Sequence, residues 1–119
     1  MLDAMVAVTV GSGTLVVAAS GNSRQRGSPP EYPASLPHVL TVGALDQGNA
    51  PASFSSGSQH VDLSAPGVNI PVAIPLTYKP PSYYDLYFNG TSFASPLVAG
   101  AAAWVWTARP TLDLSQLFE

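Results

Sequence analysis

The stretch that decides the fold is Thr14-Leu15-Val16-Val17-Ala18-Ala19-Ser20-Gly21-Asn22. Its first five residues are apolar or β-branched, which is typical of a strand buried in a parallel sheet. A short amphipathic helix is predicted before it, because apolar residues recur at i, i+3, i+4 and i+8 and a Gly-Ser-Gly stop follows. The four apolar positions are Leu2, Met5, Val6 and Val10. A helix, a glycine stop and an apolar strand in this order indicate an α/β unit with a parallel sheet.

Further strands are predicted downstream. Residues Val39 to Ala44 form a second apolar, β-branched run, and Val61 to Leu63 and Val68 to Ile74 are shorter candidates. Between the first two strands, residues Ser20 to Pro37 are polar and rich in proline, which predicts a loop. A second loop rich in proline and tyrosine is predicted around Tyr78 to Tyr87.

The C-terminal part predicts two helices. Residues Ser92 to Ala108 are rich in alanine with bulky apolar residues, and Pro96 is expected in the first turn, where a missing N–H does little damage. Arg109-Pro110 ends this helix, and a further helix is expected to begin at Asp113.

The composition excludes several function classes. Four Lys and Arg residues stand against seven Asp and Glu, so the net charge is −3, and no basic cluster exists that would track a nucleic acid. The absence of cysteine excludes disulfides, thiolate zinc sites and cysteine nucleophiles. The longest apolar run, Leu97 to Trp106, is shorter than the roughly 20 residues of a membrane-spanning helix. The first residues also lack the basic segment of a secretory signal.

The low charge content indicates an incomplete domain. Charged residues make up 9% of the 119 residues and hydrophobic residues 46%, whereas soluble globular proteins average about 25% charged residues. A free-standing domain of this size leaves much of its surface in water. We therefore expect that further sequence covers apolar faces of this chain.

Two residues carry the expected chemistry. Asn22 follows the carboxyl end of a buried strand, the edge at which α/β sheets bind ligands. Ser92 lies at a predicted helix N-terminus, where free N–H groups and the helix dipole favour developing negative charge. Together they predict half of an acyl-transfer site, with Ser92 as nucleophile and its own N–H and the Asn22 amide as oxyanion donors. Taken singly, each residue also fits an ordinary helix cap or turn.

A base within the chain is a weaker alternative. His60 and Asp62 are two residues apart and would share one face of a strand, which allows a Ser92-His60-Asp62 triad only if the imidazole reaches the serine hydroxyl. The other histidine, His38, is expected at a surface rim beside the second strand.

The motif around Ser92 resembles that of a known family. Gly90-Thr91-Ser92-Phe93-Ala94-Ser95-Pro96-Leu97-Val98-Ala99-Gly100 is similar to the active-serine motif of the subtilisin-like serine proteases, the subtilases, and Ala18-Ala19-Ser20-Gly21-Asn22 resembles their oxyanion-asparagine segment. Four further segments appear in the family's order: Tyr32-Pro33-Ala34, Thr41-Val42-Gly43-Ala44, Ala52-Ser53-Phe54-Ser55-Ser56 and Asp62-Leu63-Ser64-Ala65-Pro66-Gly67.

The resemblance implies that residues 1–119 are the C-terminal portion of a subtilase catalytic domain, with a three-layer α/β fold and a mostly parallel sheet. It implies serine endopeptidase activity on peptide or protein substrates, with Ser92 as nucleophile and Asn22 as oxyanion stabiliser. It further implies a secreted or extracytoplasmic parent in which structural calcium is possible, although no metal site is predicted within this chain. The implied substrate-binding residues are Ala18, Ala19, Ser20, Gly21 and Ser23.

The chain also departs from the family pattern. The Asp and His motifs that precede the oxyanion asparagine in subtilases are absent from these 119 residues, as is the other wall of the substrate pocket. The isolated chain is therefore expected to be inactive and to need the missing N-terminal half. Two alternatives stay open: a non-catalytic remnant that serves as an interaction module, and an esterase or lipase, although the Gly-x-Ser-x-Gly elbow of the latter is not present.

Overall fold

The computed structural model describes residues 1–57, 60–73 and 87–118. Three α-helices and five strands lie within these ranges. The helices are α1 (Leu2–Gly11), α2 (Thr91–Ala108) and α3 (Leu114–Phe118). The strands are β1 (Val16–Ala19), β2 (Val39–Leu45), β3 (Leu63–Pro66), β4 (Ile70–Pro71) and β5 (Tyr87–Phe88).

The three longer strands form one parallel sheet in the order β1-β2-β3. Ala18 pairs with Thr41 across β1 and β2, and Ala44 pairs with Ala65 across β2 and β3. The carboxyl ends of all three strands therefore meet at one edge of the sheet. The predicted α/β organisation with a parallel sheet is confirmed.

The two faces of the sheet pack against different helices. On one face Val42 and Ala44 share a core cluster with Ala94 of α2, and on the other face Val39 shares a cluster with Val6 of α1. Successive residues of a strand point to opposite faces, so β2 is buried on both sides. This arrangement of helix, sheet and helix is the three-layer fold that the resemblance implies.

Two helix predictions need correction. The apolar stripe of α1 is only partly buried: Val6 is 7% exposed, whereas Leu2 and Met5 are 46% and 59% exposed, because α1 packs beside the edge strand β1 and covers little of the sheet. The second correction concerns Pro96. Gly90 caps α2 and the helix begins at Thr91, so Pro96 falls inside the helix rather than in its first turn. It therefore has no N–H to donate to the carbonyl four residues earlier.

The shorter strands also differ from the prediction. β3 begins at Leu63 instead of Val61, because the Thr41 N–H of β2 donates to the Asp62 carboxylate instead of to a backbone carbonyl of this segment. Within the described residues 68–73 of the predicted strand Val68 to Ile74, the structure has the short strand β4, which pairs antiparallel with β5, and Ile74 lies outside the described residues. The predicted loop around Tyr78 to Tyr87 lies outside the described residues, apart from Tyr87 in β5.

Helix α3 begins at a reciprocal cap. Asp113 Oδ1 accepts the Gln116 N–H at 2.9 Å, and Gln116 Oε1 accepts the Asp113 N–H at 3.0 Å. The hydrogen bond from the Gln116 backbone, followed by one from the Ser115 hydroxyl, holds the pKa of Asp113 below its usual value. The expected helix is thus present, one residue later than Asp113.

Much apolar surface of the chain faces solvent. Trp104 of α2 is 78% exposed and Val8 of α1 is 73% exposed. β1 is the outer strand of the three-stranded sheet, so its second edge makes no sheet pairing among the described residues. None of the described helices is both long and apolar enough to cross a bilayer.

Candidate active site

The start of α2 is attached to the carboxyl edge of the sheet. Gly67 directly follows β3, and its carbonyl accepts a hydrogen bond from the Gly90 N–H at 2.8 Å. A Cβ on Gly67 would lie 2.5 Å from the Cβ of Ala44 and 2.9 Å from the Gly90 carbonyl oxygen. Only glycine therefore allows α2 to begin this close to the strand ends.

Asn22 and Thr91 are hydrogen-bonded at this edge. Asn22 Oδ1 accepts the Thr91 N–H at 3.0 Å and the Thr91 hydroxyl at 3.1 Å. The Thr91 hydroxyl oxygen in turn accepts the Gly21 N–H at 3.2 Å. A backbone N–H can only donate, so the oxygen of the Asn22 amide must face Thr91 and the Nδ2 group must point elsewhere.

Ser92 is the next residue of α2 and is exposed. Its N–H is among the first of the helix, where no intrahelical acceptor exists, and no partner for it is found among the described residues. The Thr91 N–H is used by Asn22 and the Phe93 N–H by Gly90, so Ser92 presents a free N–H beside the Asn22 amide. The structure thus brings the two sequence-predicted residues, Asn22 and Ser92, to the same edge of the sheet.

The segment after β1 is held by Ser56. Its N–H donates to the Gly21 carbonyl at 2.8 Å, its hydroxyl oxygen accepts the Ser23 N–H at 3.0 Å, and its carbonyl accepts the Ser20 hydroxyl at 3.1 Å. These three contacts position the residues that the resemblance implies for a substrate pocket. The Ala18 methyl group, in contrast, is buried on the α1 face of the sheet, so only the backbone of Ala18 can line such a pocket.

The sequence reasoning missed Glu31. Its Oε1 accepts the Ser23 hydroxyl at 3.2 Å, and its Cγ lies 2.6 Å from the position that a Cβ on Gly21 would occupy. Gly21 has a φ of +100°, which brings the chain into this close approach. No local pattern marks Glu31, because it lies eight positions from Ser23 in the chain.

The fold disfavours the alternative triad of Ser92, His60 and Asp62. Asp62 Oδ2 accepts the Thr41 N–H at 2.8 Å, and the Asp62 N–H donates to the Thr41 carbonyl at 3.0 Å. Asp62 thus continues the pairing with β2 ahead of the amino end of β3, whereas the start of α2 lies beyond its carboxyl end. The four residues of β3 separate the two ends by about 13 Å. His38 is exposed and also precedes its strand, at the edge remote from Asn22.

Metal-binding groups do not converge in the described part of the chain. Within residues 1–57, 60–73 and 87–118, no three His, Cys, Asp or Glu side chains are grouped so that they could hold an ion.

Comparison with known proteins identifies the family. The family model described as the subtilase family matches residues 1–117. Subtilisin from Bacillus pumilus is 42% identical over 118 residues, which are 98% of this chain and 41% of that protein. Subtilisin DY from Bacillus licheniformis is 46% identical over 108 residues, 89% of this chain and 37% of that protein.

Subtilisin BL from Lederbergia lenta is 46% identical over 116 residues, 98% of this chain and 40% of that protein. Residues 1–119 therefore span about two fifths of the length of these relatives. The match extends over nearly the whole chain and includes both the Asn22 and the Ser92 segments. The chain belongs to the subtilase family.

Proposed function

We propose that this chain supplies the nucleophile and the oxyanion site of a serine endopeptidase. The observation that carries the proposal is the pair of hydrogen bonds from Thr91 to Asn22 Oδ1, because they turn the Asn22 Nδ2 group away from Thr91 and leave it free to donate beside the residue that precedes Ser92. Two N–H donors beside an exposed serine are what the tetrahedral intermediate of acyl transfer requires.

The chemistry proceeds in two stages. The Ser92 hydroxyl oxygen attacks the carbonyl carbon of a peptide bond while a base takes its proton, and the resulting oxyanion accepts hydrogen bonds from Asn22 Nδ2 and the Ser92 N–H. Protonation of the amide nitrogen then breaks the peptide bond and leaves an acyl ester on Ser92. Water hydrolyses this ester and returns the proton to Ser92.

The base comes from outside residues 1–119 in this proposal. Neither histidine of the chain lies at the carboxyl edge with Ser92, so the imidazole and its carboxylate partner belong to a preceding part of the same domain. The isolated chain is accordingly inactive.

The described surface supports a covering segment of this kind. A cavity of about 300 Å³ between β1 and α2 is lined by apolar groups, among them Val17, Ala102 and Trp106. Together with the free edge of β1 and the exposed side of α2, it is the site for the preceding part of the domain.

We place the parent protein outside the cytoplasm on the same family resemblance. The coding sequence upstream of Met1 tests both proposals. A secretory signal followed by the Asp and His motifs supports them, whereas an untranslated region directly before Met1 supports the remnant that only binds partners.

A hybrid domain provides the functional test. In it, the segment of Bacillus pumilus subtilisin that aligns with this chain is replaced by residues 1–119. We expect it to hydrolyse peptide substrates and to bind a fluorophosphonate covalently, with both reactions abolished by Ser92→Ala. The isolated chain should do neither. A folded hybrid domain that is inactive would contradict the proposal and favour the remnant, and one that hydrolyses only carboxylic esters would favour the esterase.

A further inference from the structure

The carboxylate of Glu31 lies beside the proposed oxyanion site. Its side chain crosses the Cα of Gly21, and its Oε1 is hydrogen-bonded to the Ser23 hydroxyl. Gly21 and Ser23 are the two neighbours of Asn22 in the chain. The Glu31 carboxylate is therefore held against the segment that presents the oxyanion donor.

No cation of the described chain neutralises this carboxylate. The nearest basic residue in sequence to Ser23 is Arg24, but its Nη1 donates to the Ala52 carbonyl at 3.5 Å and its Nη2 lies near Gly57. Among residues 1–57, 60–73 and 87–118, the ion pair found is that of the N-terminal amine with Asp3, at 3.1 Å. The half-buried Glu31 carboxylate thus has no ion-pair partner among the described residues.

The geometry of acyl transfer brings one substrate side chain to this place. The residue whose carbonyl is attacked has its Cα bonded to the reacting carbon, and its carbonyl oxygen lies between Asn22 Nδ2 and the Ser92 N–H. Its side chain consequently begins two bonds from the reacting carbon, close to the walls next to Asn22. On one side those walls are Gly21 and Ser23, with the Glu31 carboxylate across them.

We infer that Glu31 selects substrates with a cationic side chain, Arg or Lys, on the residue that precedes the scissile bond. The inference rests on the proposed peptidase function and adds the substrate class. A carboxylate with one oxygen engaged by a single hydroxyl can still accept a charge-assisted hydrogen bond from a guanidinium or ammonium group. A purely structural Glu31 would contact Ser23 and Gly21 equally well without its charge.

The test compares two substrates of equal shape in the hybrid domain. They are peptides identical except for arginine or its neutral analogue citrulline before the cleaved bond. We expect kcat/KM for the arginine peptide to exceed that for the citrulline peptide by about 10-fold or more, the size of effect given by a charge-assisted hydrogen bond. Glu31→Gln keeps the acceptor for Ser23 and removes the charge, so the ratio should fall towards one. Raising the ionic strength should lower the ratio only while Glu31 is present.

The outcomes separate this inference from the proposed function. If an active hybrid domain and its Glu31→Gln variant show equal ratios, the substrate preference is overturned and the peptidase proposal stands. A folded hybrid domain that cleaves neither peptide and does not react with fluorophosphonate overturns both. If the hybrid domain does not fold, residues 21–33 alone are placed in the aligning segment of Bacillus pumilus subtilisin. If the transplanted segment raises the arginine-to-citrulline ratio of kcat/KM and Glu31→Gln abolishes the increase, the inference is supported. If the ratio does not increase, the inference is overturned.

Discussion

Asn22 Oδ1 accepts two hydrogen bonds from one residue, the N–H and the hydroxyl of Thr91, at 3.0 and 3.1 Å. This double contact orients the Asn22 amide without using its Nδ2 group. Because Thr91 immediately precedes Ser92, the contact also sets the distance between the proposed oxyanion donor and the proposed nucleophile. Thr91 is in this sense a positioning residue for the site.

Removing the Thr91 hydroxyl tests this role. Thr91→Val keeps the shape of the side chain but deletes one of the two donors to Asn22 and the acceptor of the Gly21 N–H. We expect kcat of the hybrid domain to fall about 3-fold to 10-fold, corresponding to one neutral hydrogen bond, with little change in KM. Thr91→Ser restores the hydroxyl and should restore most of kcat. Equal kcat values for the Val and Ser variants would show that the hydroxyl does not position Asn22.

We expect the Asn22 amide to contribute more to kcat than Thr91, which orients it. Asn22→Leu removes the Nδ2 donor, and we expect kcat to fall about 10²-fold to 10³-fold, a magnitude measured for this type of donor within the same family rather than calculated from this structure. Substrate affinity, followed as KM, should change little because the donor acts on the charge that develops during the reaction. A loss confined to KM would assign Asn22 to ground-state binding.

Gly21 is a second position where the site depends on backbone conformation. At φ +100°, any side chain is strained, and a Cβ would also lie 2.6 Å from Glu31 Cγ. Gly13 has a similar φ of +84° but open space around its Cα, so it is the matched control. In the hybrid domain with Ser92→Ala, Gly13→Ala should lower the free energy of unfolding by about 1 kcal/mol from backbone strain alone. Gly21→Ala should cost about 2 kcal/mol or more, since overpacking adds to the strain.

Thermal unfolding at one fixed scan rate measures both glycine variants, and the shift for Gly21→Ala should be clearly the larger. Gly21→Ala should also displace the Glu31 side chain and lower the arginine-to-citrulline ratio of kcat/KM in the active hybrid domain. Equal shifts for the two variants would mean that the Glu31 side chain moves aside at no cost.

Ser55 stabilises the sheet end from within the core. It is 5% exposed, and its hydroxyl oxygen accepts the buried Ala44 N–H at 2.9 Å. Ser55→Ala leaves that N–H without its partner and should lower the free energy of unfolding by about 1 to 3 kcal/mol. Ser53, in the same segment, is exposed, so Ser53→Ala should change the unfolding midpoint by little. A Ser55→Ala variant as stable as Ser53→Ala would contradict the assigned contact.

The uncovered apolar surface gives a prediction for the chain by itself. Residues 1–119 should bind a hydrophobic dye and self-associate on gel filtration, because Trp104, Val105 and Leu97 of α2 are 78%, 46% and 48% exposed. The hybrid domain, in which the preceding part of the domain is present, should bind much less dye. A monomeric isolated chain that unfolds cooperatively without binding dye would show that this surface needs no cover.

Local sequence predicted the elements whose pattern is strong. Four such features are present in the structure: the apolar runs of β1 and β2, the alanine-rich α2 and the glycine stop after α1. The composition of each strongly favours one type of secondary structure. The ends of elements were less predictable. Helix α2 begins at Thr91, one residue before the predicted start, where Asn22, 69 positions away, accepts the Thr91 N–H, and the local sequence contains no sign of that contact.

The residues of the proposed site also divide into those that the sequence predicts and those that only the structure reveals. Asn22 and Ser92 could be proposed from the sequence, because an amide after a buried strand and a serine at a helix start are both groups that can bind or react with a ligand. Their alignment through Thr91, and the position of Glu31 across Gly21, were decided only by the tertiary structure. Parallel strands bring their carboxyl ends to one edge whatever the intervening length of chain, so residues from three separate segments meet there without any local signal in the sequence.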